Sequence, residues 1–246
     1  MSSRMHPSRA LRRHLIRMAV VYAALFAAAA ASLPALLRAA MRPVLALHIR
    51  LIATSLDEVV IQDLKLALLA AFVAGLPYFL FEAWTFVAPA LTPAERRRGS
   101  ALLLGSALCA LFGASFAWWV VVPRLIRYLA AIAAWSHVLL YLRYESYVSF
   151  VGTLILAFAA AFELPIAVAW AVGMGIITPQ DLKAKRRYAY FALVVVGVLL
   201  SPPELVAHLT VTVPLFLLYE GSIALATLVD RRRQKESAQS PALSER

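Results

Sequence analysis

Three carboxylates break long apolar runs: Glu82, Glu163 and Glu220. An ionisable group at bilayer depth costs ~2.5–3.5 kcal/mol on insertion scales, so it is rarely kept there without a use. Glu163 stands out, because residues 146–162 and 164–180 on either side of it carry no charge. Glu82 lies toward one end of its run and reads as a solvated residue; Glu220 lies toward the end of the last run. Three further acids share one local form, Ser/Thr-Pro-x-acid: Thr92-Pro93-Ala94-Glu95, Thr178-Pro179-Gln180-Asp181 and Ser201-Pro202-Pro203-Glu204. A hydroxyl N-cap, a proline at the first helical position and a carboxylate at the third are how a helix starts. Glu95, Asp181 and Glu204 therefore read as cap carboxylates, and an exposed one at a membrane surface can also bind a cation. No catalytic or metal centre is expected. There is no G-x-S-x-G, H-E-x-x-H or P-loop, and the five histidines show no ligand spacing. His14 reads as a surface residue and His208 as one facing a cavity. The single Cys109 excludes an internal disulfide.

The elements that must position these residues follow from composition. Of 246 residues, 63% are hydrophobic and 15% charged, against about 45–50% and ~25% in a soluble domain. A water-soluble globule is thereby excluded. The net charge of +11 lies in short clusters between apolar runs, which points to membrane topology and not to nucleic acid. Uncharged runs long enough to cross a ~30 Å core fall at Met18–Leu37, Leu66–Ala94 (past Glu82), Gly99–Pro123, Ser146–Gln180 (past Glu163), Tyr188–Pro203 and Leu205–Val229 (past Glu220). The fold class is all-α: a polytopic membrane protein of six helices, the last two short. Residues 1–230 form one transmembrane domain, and 231–246 form a basic, then polar and disordered, tail. Arg12, Arg13 and Arg17 ahead of an Ala-rich run also resemble a secretory signal, but the run is long for one and is read as a retained helix. The loops at 39–65 and 124–147 are long. The first reads as a cap with helix at Leu45–Ala53 and Asp57–Lys65. The second carries Trp135, Tyr141, Tyr144 and Tyr147 as an aromatic belt.

Orientation follows from Lys and Arg. The N-terminal stretch, the 96–98 and 183–187 loops and the tail hold seventeen, and the opposite face holds seven. Both termini are therefore expected in the cytoplasm.

Several blocks then read together. Pro77 to Leu91 (PYFLFEAWTFVAPAL) with Glu95-Arg96-Arg97, Phe162-Glu163-Leu164-Pro165, Thr178 to Leu182, Lys185 to Tyr188, Ser201 to Glu204 and Pro214 to Glu220 occur in order. From about residue 45 to 230 this pattern resembles the TatC family, the signal-receptor subunit of the twin-arginine translocase. The resemblance implies a core subunit, not an enzyme and without a cofactor, in the inner membrane. It would bind paired-arginine signal peptides and support export of folded proteins driven by the proton gradient. TatA- and TatB-type single-span proteins, the bilayer and further copies of itself in a homo-oligomeric receptor complex would be its partners, with no nucleic acid. Carried over by position, Glu95, Phe86 and Pro89 would bind the signal, and Glu163 would face the cavity where partner helices dock. Pro43 and Pro77 would be structural prolines, with Glu82 and Glu204 secondary candidates. The family's N-terminal acid is absent: the first 17 residues contain none, and Ala10-Leu11-Arg12 takes its place. Glu82 stands where the family usually has an amide and could substitute. The alternative is a TatC-like scaffold that has lost signal binding.

Overall fold

The computed structural model describes residues 7–47, 49–90, 92–137 and 140–239; the side chains at 7–10, 90, 93–95, 97, 98, 101 and 232–239 lie outside the description. In chain order the elements are α1 (Pro7–Ala31), α2 (Leu33–Leu45), β1 (Arg50–Ile52), α3 (Leu56–Val87), α4 (Pro93–Phe116), α5 (Val122–Trp135), β2 (Tyr141–Arg143), α6 (Tyr144–Gly173), α7 (Pro179–Ala184), α8 (Arg186–Leu200) and α9 (Leu205–Gln239). Among the described residues, five helical segments are long and apolar enough to cross a membrane: Leu11–Ala31, Leu56–Val87, Leu102–Trp135, Tyr144–Gly173 and Leu205–Arg231.

The third of these is continuous because a π-helical turn at Ala117–Val121 joins α4 to α5. Pro123 supplies the reason. It has no N–H for the carbonyl of Trp119, and its ring would crowd that oxygen, so the turn widens instead of breaking. The expected 124–147 loop shrinks accordingly. α3 likewise begins ten residues before Leu66 and takes in the predicted Asp57–Lys65 helix. Pro77 lies inside α3 and Pro43 inside α2.

Four expectations change. The helix expected at Leu45–Ala53 does not form among the described residues beyond Leu45, where α2 ends. The last residues of that stretch form β1, which pairs in parallel with β2 (Arg50 with Tyr141, Leu51 with Leu142, Ile52 with Arg143). Leu51 and Ile52 suit a pleated, half-buried edge, and their partners come from 91 residues away, beyond the reach of local pattern. Tyr144 and Tyr147 are buried, not belt residues. Their hydroxyls donate to Asp63 Oδ1 and to the Ala40 carbonyl, each at 2.5 Å, whereas Trp135 and Tyr141 are exposed. Of the two helices expected to be short, only α8 is. Its 15 residues make about 22 Å. α9 instead runs 35 residues to Gln239. The stretch expected as a disordered tail is helical to that point, since Arg, Gln, Lys, Glu and Ala sustain a helix once it has started.

The core lies where α4, the π turn, α5, α6 and α9 meet, around Val121, Val122, Leu125, Leu154, Phe158 and Val211. Gly113 permits the α4–α6 approach, because a Cβ there would lie 2.5 Å from the Phe158 carbonyl oxygen. α1 packs on α3 through Ala29, Ala67 and Ala71.

Candidate functional site

At one end of the bundle, α3 gives way to a 3₁₀ turn at Ala88–Ala90, and α4 starts at Pro93. Ala88 is buried and pins the turn, while Pro89 and Phe86 are exposed, the latter at 43%. His14 of α1 sets its ring edge-on to Phe86, 5.9 Å between centroids. Glu95 falls in the first turn of α4, but its side chain lies outside the described residues, and with it the predicted Thr92–Glu95 side-chain cap. The turn itself is closed by Arg96 N–H donating to the Thr92 carbonyl at 2.9 Å. Phe86, Pro89 and Glu95 thus share one short helix–turn–helix.

Glu82 is not solvated. It is 4% exposed, and His14 Nδ1–H donates to its Oε1 at 2.7 Å, with Arg17 Nη1 at 3.8 Å. His14, expected on the surface, is half-buried in the α1–α3 seam. His14 and Arg17 are three apart and share a helical face. Nothing in the sequence says that this face meets a carboxylate 68 residues on.

Glu163 opens onto a groove of about 270 Å³ between α3, α4 and α6. Ser106 Oγ–H of α4 donates to Glu163 Oε2 at 2.5 Å. Among the described residues, Glu163 Oε1 and Trp170 Nε1–H have no partner, and both are buried. The two residues line the same groove with Leu80, Trp84 and Ile166. Seven residues apart on α6, they are two turns and about 10 Å along one face. The wall is shaped by Gly99, where a Cβ would lie 1.9 Å from the Trp84 ring. An acceptor and a donor, both dry and both unused, suit a polar group arriving on another apolar surface.

The other acids divide. Asp181 caps as expected: Thr178 N–H and Oγ–H donate to its Oδ2 at 2.9 and 2.7 Å, and Asp181 N–H donates to Thr178 Oγ1 at 3.2 Å. The Thr178 hydroxyl, then its N–H, hold the Asp181 carboxyl below the usual range. Glu204 does not cap as expected. α9 starts after it, at Leu205, so Glu204 stands before the helix and not at its third position. Pro203 disfavours helical geometry at the residue before it, Pro202, which would have begun the helix. Ser201 instead ends α8, donating to the Gly197 carbonyl at 2.6 Å and lying 2.6 Å from His208 Nδ1. Glu220 is tied to α8 by Arg186 Nη2 at 2.6 Å and Tyr190 O–H at 2.5 Å.

The family model described as "TatC: Sec-independent protein translocase protein (TatC)" matches residues 8–214. The Sec-independent protein translocase protein TatC of Halalkalibacterium halodurans is 37% identical over 169 residues, 69% of this chain and 67% of its own. That of Escherichia coli is 34% identical over 187 residues, 76% and 72% of the two chains. A crystal structure described as the twin arginine translocase receptor TatC superposes with a TM-score of 0.79 at 31% identity, covering 91% of this chain and 99% of that one.

Proposed function

From the premise that this chain belongs to the TatC family of Sec-independent protein translocase proteins, we propose that it is the signal-receptor subunit of a twin-arginine translocase. Family membership makes it a multi-pass membrane protein and a protein-transport component. The finer reading has the chain crossing an inner membrane six times, α8 being the short span, with both termini in the cytoplasm. It binds paired-arginine signals of folded precursors and works with TatA- and TatB-type single-span partners, and further copies of itself, using the proton gradient.

The observation that carries this reading is the superposition along 91% of the chain on a protein described as that receptor. The roles follow from chemistry. Glu95 accepts the guanidinium fork of the signal, since Arg pairs with carboxylate through two parallel hydrogen bonds. Exposed Phe86 and Pro89 offer the apolar rim beside it. Glu163 and Trp170 receive a partner helix in the groove. The seventeen-to-seven distribution of basic residues supports the orientation.

Photocrosslinking from position 95 to a twin-arginine precursor in membranes tests the receptor role. A crosslink that is lost when both signal arginines become lysine is the expected result, because lysine keeps the charge and loses the fork. No crosslink, with folded protein and partners present, overturns it. A second reading, a scaffold that has lost signal binding, is favoured by one observation. Glu82, the carboxylate available to replace the missing N-terminal acid, is already held by His14. Under that reading, restoring an acid at Ala10 leaves binding undetectable; a weakened receptor gains affinity.

A further inference from the structure

A second groove, of about 460 Å³, lies between α3 and α6 with Tyr22 of α1 on its rim. Its mouth is polar and its floor is apolar. Lys65 stands at the mouth, exposed, and makes no hydrogen bond or ion pair among the described residues. Ser149 and Thr153, both exposed, face the same groove from α6. No carboxylate lines it. The nearest acid on α3, Asp63, already accepts from the Tyr144 hydroxyl. Leu68, Phe72 and Leu156 supply its apolar lining, Phe72 and Leu156 being themselves exposed. Gly152 keeps it open, since a Cβ there would lie 3.6 Å from Leu69 Cδ2 and begin to fill it.

The depth is set by charge. The uncharged run of α3 begins at Leu66, and that of α6 begins at Ser146. Lys65 and Ser149 therefore sit where the hydrocarbon begins, with the apolar floor running about 10 Å further in, from Lys65 to Phe72. A lysine at this boundary extends its ammonium to the headgroup layer while its stem lies on apolar surface. One unpaired cation and two hydroxyls above an apolar channel match a lipid phosphate above an acyl chain.

We propose that this groove holds one anionic phospholipid, its phosphate on Lys65, Ser149 and Thr153 and an acyl chain along Leu68, Phe72 and Leu156. The site is on the face opposite the α3–α4 turn, so its lipid belongs to the leaflet away from that turn. It stands apart from the receptor reading and does not depend on it.

The test is native mass spectrometry of the full chain, delipidated in detergent and titrated with phosphatidylglycerol or phosphatidylcholine. Phosphatidylglycerol is expected to be retained about fivefold better, the worth of one lysine against an anionic headgroup. Lys65→Gln removes the preference, and the double change Ser149→Ala with Thr153→Val weakens it. Gly152→Leu lowers retention of both lipids, because it fills the channel. Excess inorganic phosphate leaves the lipid bound. Equal retention of the two lipids, a preference that survives Lys65→Gln, or full displacement by phosphate overturns the proposal. So does a crosslink from position 65 to an acidic side chain of a single-span partner in place of lipid.

Discussion

Glu82 and Glu163 interrupt apolar runs in the same way, yet the structure treats them as opposites. Glu82 is closed. It lies in the α1–α3 seam, where its Oε1 takes His14 at 2.7 Å with Arg17 at 3.8 Å, and among the described residues neither of its oxygens is a buried atom without a partner. Glu163 is half open. One oxygen takes the Ser106 hydroxyl; the other has no partner and lies beside an equally unpartnered Trp170 indole N–H. A buried polar atom left without a partner costs about 1–3 kcal/mol. A fold that leaves two of them in one groove, and none on Glu82, separates a carboxylate that holds helices together from one that awaits something. Charge at bilayer depth marks a residue as special; the state of its lone pairs says in which sense.

The same truncation in the two places should therefore give opposite readouts. Glu163→Ala should weaken capture of single-span partners roughly thirtyfold, about 2 kcal/mol for a buried polar group of the partner left unsatisfied. The melting temperature in detergent should fall little, since the change gives up one hydrogen bond from Ser106 and at the same time removes the unpartnered Oε1. Co-purification of partners and a thermal melt read the two quantities, and a large drop in stability would erase the distinction. Glu82→Ala should do the reverse. It strands His14 and costs about 2 kcal/mol of stability, while Glu82→Gln, which still accepts from His14, costs under about 1 kcal/mol. Partner capture by folded Glu82→Ala should match the parent. Trp170→Phe sharpens the contrast by removing only the indole donor: partner affinity should fall roughly fivefold, about 1 kcal/mol for one hydrogen bond, with the melt unchanged. The smallest effect is expected at Asp181, a carboxylate that is closed but exposed. Its pKa is lowered by Thr178, so the cap is stabilising above the ordinary value of about 4 and is lost as pH falls through the lower folded value. Hydrogen exchange at Asp181 and Leu182 should be faster in Asp181→Asn at neutral pH, with the difference closing under acid.

What was legible in the sequence is what depends on neighbours along the chain. The spans follow from apolar length. The Thr178–Asp181 box follows from a four-residue pattern, and the shortness of α8 follows from Pro202-Pro203. What depends on meeting a distant segment was hidden. His14 gives no sign of Glu82, Tyr144 none of Asp63, and Tyr147 none of the Ala40 carbonyl. A tyrosine near a span end looks the same whether its hydroxyl meets water or a buried acceptor. The Glu204 departure has a local cause: with two prolines in succession the helix starts at Leu205, three residues later than the motif implies. For the candidate site, Glu163 stands out by its type and its place in the middle of an apolar run, whereas Glu95, Phe86 and Pro89 came only with the family resemblance. Trp170 was missed, although its spacing of seven from Glu163 puts both on one face of α6. That spacing was the available signal.

The parallel pairing of β1 with β2 carries a consequence for how the molecule is made. Arg50 meets Tyr141, 91 positions on, and the chain between them must leave the ribosome and thread α3, α4 and α5 through the bilayer first. At about 5–20 residues per second that interval lasts roughly 5–18 s. During it the connection between α2 and α3 presents an unpaired strand edge, a template on which any extended chain nearby can hydrogen-bond. Its length of three residues keeps that exposure small. Brevity here protects a nascent chain during synthesis, before the finished protein has any use for the strand.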